Sequence, residues 1–551
     1  MKVFISICYF IALTCYSQTG FCTDYYISNS GNDENSGTKN KPWKTITKAN
    51  NEILKPGDCL LFKGSELFTG ILIIHGNSKT LPGKPITISS YGKGKATIQP
   101  GNTDGILVKN LGNIIVSNII VKGADRIKNG GYGIKIFNEN GNNKLENIKI
   151  SGVEASGFKW AGIFVGGNAT DLPNVKVIEG SRNGYKNVFI EKSIAYNNMY
   201  YGIYITAQWN PASLDYGNEN VTIVDCVAHD NTGDPTYTAN HSGSGIMIDD
   251  TYKALIEYCV SYRNGSVNAG LTGGPCGIWS HSSDSVLIQY CEAYENKTAG
   301  AADGGGFDLD GGVTNSIIQY CYSHDNDGPG YLMWNYQAAP HKLTKNTIRY
   351  CISANDARKH NNGGIHIGTS GLPITNIDVY HNTIIMFPST QGKTKGIWTG
   401  GSAKNANFRF FNNLIITHGD VPLLDIAPAK EFLFAGNAYW NSDNNFLVRY
   451  DEKSFNSLDS WTKSTHQESS KNGISIGLSI DPKIICSDSN PSVGNPHRLH
   501  TLQSFLLNPD SPLLSKGVNL SDYGIIAPEH DFWGTKVLQE NPDISAFQLK
   551  K

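Results

Sequence analysis

The sequence predicts an all-β solenoid, a coil of short parallel strands stacked for about eleven turns. Two recurrences predict it. A cysteine returns at one place in five similar segments, and a strand reading Gly, apolar, variable, apolar, variable returns at a similar interval before each. The composition agrees. The 551 residues include 59 glycines and 27 tyrosines, and asparagine is abundant. Gly- and Asn-rich turns between short apolar runs are what an all-β chain needs.

Taken in order, the chain opens on Met1-Lys2 and an apolar run over residues 3–13, followed by polar residues and Asp24. Residues 1–22 therefore read as a secretory signal peptide, too short to span a membrane. A secreted or periplasmic protein is expected. No later segment is long enough to be a transmembrane span. The formal net charge of −2, with 17% charged residues, argues against nucleic acid as a partner. Nothing in the sequence marks an oligomer, so a monomer is expected. Residues 23–100 are assigned to an N-terminal cap and the first turns. Within them, "TITKANNEIL" (residues 45–54) predicts a short amphipathic helix over the first turn. A solenoid end exposes apolar core and edge strands, and something must cover both. Residues 101–440 carry the repeat. Residues 441–551 lose it and are assigned to a C-terminal cap region.

The repeat is explicit. "VTIVDCVAHDN", "ALIEYCVSYRN", "VLIQYCEAYEN", "SIIQYCYSHDN" and "NTIRYCISAND" place Cys226, Cys259, Cys291, Cys321 and Cys351 at intervals of 33, 32, 30 and 30 residues. The register extends upstream to Ser193, Gly152 and Asn118, and downstream to Asn382, Asn413 and Asn437. The companion strands include "YGIYI", "SGIMI", "CGIWS", "GGFDL" and "GGIHI", all with period two. Short strands in a repeat of about 30 residues suit neither a helical solenoid nor a propeller blade. They suit parallel strands stacking about 4.8 Å apart, turn on turn.

These residues resemble the right-handed parallel β-helix carbohydrate-active enzymes of secreted bacterial origin, both polysaccharide lyases and glycoside hydrolases. The opening "YYISNSGNDENSGTKNKPWKTITKAN" and the closing "NPDSPLLSKGVNL…HDFWG" resemble that group as well. The resemblance implies a right-handed coil and a poly- or oligosaccharide substrate. It leaves the reaction open, because one fold carries many chemistries.

Of 11 cysteines, the five in the column are expected to be free buried thiols, since a spacing near 4.8 Å is wide for a disulfide. Asn118, Asn382, Asn413 and Asn437 are expected to bond one another along the stack. His229-Asp230 and His324-Asp325 read as turn chemistry.

The companion strand also has an outward face. One outward column reads Lys135, Phe164, Tyr204, Met247, Trp279, Asp308, Leu332, His366 and Trp398. The other reads Phe137, Gly166, Thr206, Asp249, His281, Asp310, Trp334, Gly368 and Gly400. A solvated sheet face carries Lys, Glu, Thr and Ser, whereas the middle turns here carry aspartate, histidine and large aromatics. Asp308 and Asp310 stand two residues apart on one strand, roughly 6.5–7 Å at their Cα atoms. Asp249, His281, Asp308, Asp310 and His366 are the candidate catalytic residues. Tyr204, Trp279, Trp334, Trp398, Arg358 and Lys359 are the candidate substrate contacts. Asp303, Asp250 and His241 lie at strand ends nearby. Long segments after the Tyr204 strand and before the Trp279 strand can wall a cleft.

Elimination fits the mixed histidine, aspartate and basic set best, with hydrolysis as the alternative. β-Elimination from an acidic, uronate-containing glycan, including dehydration of a terminal uronate, needs a base such as His281 or His366. It also needs a positive charge to neutralise the uronate. Arg358, Lys359, or a Ca2+ held by Asp249, Asp308 and Asp310 would supply that charge. A C5-epimerase shares the proton-abstraction step. Inverting glycoside hydrolysis needs instead two carboxyls about 6.5–9.5 Å apart, a range that Asp308 with Asp310, or Asp249 with Asp310, would meet. A third reading is a non-catalytic polysaccharide-binding solenoid.

Overall fold

The computed structural model describes residues 22–75, 80–139, 143–167, 183–207, 215–339, 341–401, 405–427, 430–470, 472–485 and 490–550. The expected signal peptide, except Cys22, lies outside them. The described chain forms three long sheets of 14, 14 and 13 strands. Within each sheet, hydrogen-bonded neighbours come from successive turns and run parallel. One pair departs from this, Val448–Tyr450 with Lys453–Phe455, which is antiparallel and closes its sheet.

Side-chain alternation builds the core. Along the middle sheet, Ile203, Ile246, Ile278, Phe307, Tyr331 and Ile365 stand in one register and point inward, each at most 1% exposed. Their outward neighbours form the two columns anticipated from the sequence: Tyr204 pairs with Met247, Met247 with Trp279, and Trp279 with Asp308. Burying one apolar column per face over so many turns is the main stabilising term.

The cysteine column forms as expected. Cys226, Cys259, Cys291, Cys321 and Cys351 are free and fully buried. Each Sγ donates to the carbonyl two residues earlier; for Cys259 this is Glu257, at 3.3 Å. The column continues into Asn382, Asn413 and Asn437. Cys351 N donates to Asn382 Oδ1 at 2.9 Å, and Asn382 and Asn413 each pass an Nδ2–H to the next asparagine at 2.9 Å.

Upstream, Ser193 keeps the register of Cys226, but Gly152 and Asn118 are one residue off. Strand pairing aligns Asn118 and Gly152 with Lys192, Asp225, Tyr258, Tyr290, Tyr320, Tyr350, His381, Asn412 and Gly436. All eleven are left-handed, with φ between 48° and 72°. Asn118 is exposed, so it does not share the buried asparagine ladder. A left-handed turn costs a non-glycine residue about 1–2 kcal/mol. Inter-turn hydrogen bonds and ring stacking offset it. Tyr258 stacks on Tyr290 at 5.2 Å, and Tyr290 on Tyr320 at 4.9 Å.

The "HDN"-type turns hold a second ladder, Asn198, Asn231, Asn264, Asn296 and Asn326, linked amide to amide at 2.9–3.1 Å and ending on Asp356.

The N-terminal helix is shorter than its sequence suggests, spanning Ile46–Asn50 with Thr45 as N-cap. Asn50 ends it by bonding elsewhere: its side chain donates to Ile71 O and accepts from Ile73 N, both at 2.9 Å. At the other end, helix Leu458–Thr465 seats Trp461, fully buried, against Phe434 and Tyr439. The chain then doubles back along the outside of the coil. Ala546 N donates to Thr383 Oγ1, Phe505 packs on Tyr322, Val493 N donates to Glu292, and His497 stacks on Tyr258. Among the described residues no helix is long and apolar enough to cross a membrane.

Candidate active site

The outward columns of the middle turns floor a cavity of about 880 Å³. Strands Tyr201–Thr206, Ser244–Asp249, Cys276–His281, Gly305–Asp310, Tyr331–Asn335 and Gly363–Thr369 supply the floor. Loops supply the walls: residues 239–241, 272–274, 301–303, 336–338 and 360–362. The long segment before the Trp279 strand thus forms a wall. The one after the Tyr204 strand falls largely on residues 208–214, outside the described residues.

Asp249, His281, Asp308, Asp310, His366, Tyr204, Trp279 and Trp334 all line this one space. The aromatics are less open than an exposed sheet face implies. Tyr204 and Trp279 are 1% and 3% exposed, covered by the loops and by each other's neighbours, while Trp334 is half-buried.

Two groupings organise the polar residues. In the first, His281 donates from Nδ1 to Asp249 Oδ1 at 2.7 Å, and Thr206 Oγ1 donates to Asp249 Oδ2 at 2.8 Å. The carboxylate fixes the tautomer, leaving Nε2 to accept from Tyr336 OH at 2.5 Å. The Tyr336 ring lies nearly parallel to the imidazole, 5.5 Å away, over Gly311. A Cβ on Gly311 would stand 2.1 Å from that ring, so only glycine fits.

The second grouping is three carboxyls from one segment, Asp303, Asp308 and Asp310. Burial raises all three. Asp303 is pushed up to about 7 by burial and by Asp310, against a 2.8 Å hydrogen bond from Gly274 N. Asp308, 3% exposed, is raised well above the ordinary range by burial and then by Asp310 and Asp303. Asp310 is raised to about 6 by burial, with His281 and the Gly311 N–H holding it down. One segment therefore offers carboxyls of graded acidity.

Several buried polar atoms on the cavity wall have no hydrogen-bond partner among the described residues: Asp308 Oδ1, Trp279 Nε1, His241 Nδ1 and His360 Nε2. Unpaired buried donors and acceptors are costly, and their convergence on one cavity marks where a polar ligand belongs.

Other expectations change. Arg358 and Lys359 do not line the cavity. The Arg358 guanidinium donates to the carbonyls of Phe387 and Pro388, and Lys359 Nζ to Thr298 O, so both hold turns together. Trp398 stacks behind His366, with ring centroids 4.0 Å apart. His366 is pushed down to about 3 by burial and by nearby Lys395. It is neutral. Lys395 itself donates to Asn361 and to the Lys393 carbonyl. Asp250 turns away from the cavity in a left-handed conformation. The Ca2+ set does not fit, because both Asp249 oxygens are engaged. Among the described residues no three His, Cys, Asp or Glu side chains cluster to hold a metal.

Sequence reasoning passed over Tyr336, although a signal existed. It continues the period-two outward face from Leu332 and Trp334. His360 ends the short strand Lys359–His360, and Asn361 and Asn362 follow it on the wall, with no such register to reveal them.

Residues 161–338 match the family model described as right handed beta helix region. Most of the site lies inside that stretch. No curated protein matches the chain. Similar solved structures include a GH136 lacto-N-biosidase from Eubacterium ramulus, at 18% identity over 70% of this chain and 68% of that one, TM-score 0.45. Pectate lyase Pel9A matches at 16% identity over 96% of both chains, TM-score 0.43. The A-module of mannuronan C-5 epimerase AlgE4 from Azotobacter vinelandii matches at 12% identity over 72% of this chain and 86% of that one, TM-score 0.39. At such scores and identities they carry nothing about reaction or substrate.

Proposed function

We propose that the protein is a carbohydrate-active enzyme that hydrolyses a glycosidic bond in a neutral glycan, with Asp303 as proton donor and Asp310 as the partner carboxylate. The observation that carries this reading is the graded set of three carboxyls in a cavity whose described lining contains no lysine or arginine.

Elimination needs positive charge beside a uronate carboxylate. Here a uronate would meet aspartates instead, and Arg358 and Lys359 are tied to backbone carbonyls. Hydrolysis needs one carboxyl protonated and one ionised near neutrality. Asp310 is held down by His281 and the Gly311 N–H and ionises before Asp303, which burial and Asp310 push up. Asp303, near 7, keeps a proton it can release, the match that proton transfer favours. Asp308 holds its proton too tightly for that and donates a hydrogen bond to a sugar hydroxyl.

In the reaction the Asp303 proton passes to the glycosidic oxygen as the bond from C1 to that oxygen breaks. Asp310 either bonds C1, to be displaced by water, or takes a proton from the water that attacks C1. Water supplies the hydroxyl on C1 and restores the missing proton in both routes. The Tyr336–His281–Asp249 chain positions the imidazole beside Asp310.

The test is reducing-end release from neutral glycans, and in parallel from a uronate-containing glycan, by the parent and by Asp303→Asn and Asp310→Asn. Each substitution is expected to lower turnover by about a thousandfold or more. Full turnover in either variant, or an unsaturated uronate as the product, contradicts the reading. The anomer released first distinguishes the two roles of Asp310.

A further inference from the structure

A second recess, of about 140 Å³, opens beside the cavity toward the N-terminal turns. Tyr204, Asn240 and His241 line both spaces, so the two adjoin. Its remaining wall is aromatic. Trp160 lies 4.8 Å from Tyr200, Tyr200 lies 5.7 Å from Tyr237, and Tyr201 stacks on Tyr204 at 4.1 Å. These rings form a satellite apolar cluster outside the solenoid core, with Trp160 and Tyr237 only half-buried at its edge.

A purely structural cluster would close over itself. This one leaves a ring-sized recess and keeps polar atoms at its margins. Tyr200 OH donates to Asp234 Oδ2 at 3.1 Å. On the shared wall, His241 Nδ1 is buried without a partner, and the ring is neutral, pushed down to about 4 by burial. Aromatic faces with polar atoms at the edge suit a sugar, whose ring presents C–H faces and peripheral hydroxyls. Among the described residues no Lys, Arg, Asp or Glu lines the recess itself, although Lys135 and Lys159 lie over the Tyr132 and Trp160 rings, and the lining suits a neutral sugar. Tyr204 and Asp308 share the outward column three turns apart, about 14 Å at the spacing of stacked strands.

We propose that this recess is a distal sugar-binding subsite, so that the glycan lies along the solenoid axis and the preferred substrate is an oligo- or polysaccharide. The inference rests on the glycan reading of the main cavity.

The experiment measures binding rather than turnover, by saturation-transfer NMR and titration of the full chain carrying Asp310→Asn. The probes are cellopentaose, xylopentaose, β-1,4-galactopentaose and N-acetylchitopentaose, each beside its disaccharide. One pentasaccharide is expected to bind about tenfold more tightly than its disaccharide. Trp160→Ala and, separately, Tyr237→Ser are expected to remove that advantage, with circular dichroism unchanged. An advantage that survives both substitutions overturns the proposal, as does a panel with no chain-length advantage. Loss of turnover in Asp303→Asn beside an advantage that survives both Trp160→Ala and Tyr237→Ser would sink only the subsite. Full turnover in Asp303→Asn beside an advantage that Trp160→Ala removes would sink only the hydrolase reading.

Discussion

Asp303 and Asp310 sit seven residues apart in one segment, the first at a wall loop and the second at a strand end. Burial raises both; Asp310 raises Asp303 further, while His281 and the Gly311 N–H hold Asp310 down. Both values lie above the ordinary carboxylate range, so each group keeps its proton to higher pH than in the unfolded chain. Asp310 must lose its proton to act, which it does as pH rises through about 6. Asp303 must keep its own, which it loses as pH rises through about 7. A narrow bell-shaped profile of kcat/KM is expected, its limbs belonging to the interacting pair. Asp303→Asn should abolish the falling limb in the activity that remains. A profile flat from pH 5 to 9 contradicts the assignment. At this scale the sequence was partly legible. Period two placed Asp308 and Asp310 on the outer face, but it also made them the natural pair. Asp303 stands before the strand, where alternation has no force, and only the folded loop brings it to the cavity. Arg358 and Lys359 were misread for a related reason, since a position ahead of a strand does not say which carbonyls a long side chain finds.

At the scale of single elements, each turn is held by columns that repeat one polar device. Asn264 shows the dependence most clearly. Its Nδ2 donates to Asn296 Oδ1, Ala228 O and Ser261 Oγ, and its Oδ1 accepts from Asn231 N and Nδ2. Asn264→Ala strands several buried groups at about 1–3 kcal/mol each. A loss of about 3 kcal/mol is expected in chemical denaturation, with the midpoint falling accordingly; a change under about 0.5 kcal/mol contradicts a stabilising ladder. The cysteine and downstream asparagine columns could be read directly from their spacing. The left-handed column before them could not. Tyrosine is a poor sequence marker for a positive φ, and Tyr258, Tyr290, Tyr320 and Tyr350 adopt it because stacked neighbours and inter-turn hydrogen bonds repay the strain. The capping helix was legible in kind and too long in extent, because Asn50 found better partners in Ile71 and Ile73.

For the whole molecule, the coil is a rigid rod that sets functional groups at a fixed pitch, and inserted loops convert part of one face into a cavity. Architecture followed from repetition alone, since about thirty residues of pattern recur too often to mean anything else. The doubled-back C-terminal segment did not. Its contacts, such as His497 with Asp225 and Val493 with Glu292, join residues more than 200 positions apart, and no periodicity announces them. The same limit applies to substrate. Repetition reports the rod, and the loops that interrupt it decide what the rod binds. The central claim, that Asp303 delivers the proton to the departing sugar, is tested most directly by varying the leaving group. The measurement compares parent and Asp303→Asn on two glycosides of the same sugar, one with a dinitrophenolate leaving group and one with a second sugar. The account predicts that the variant keeps most of its kcat/KM on the dinitrophenyl glycoside, which departs without a proton, and loses about a thousandfold in kcat/KM on the disaccharide. An equal loss on both, or no loss on either, would contradict it.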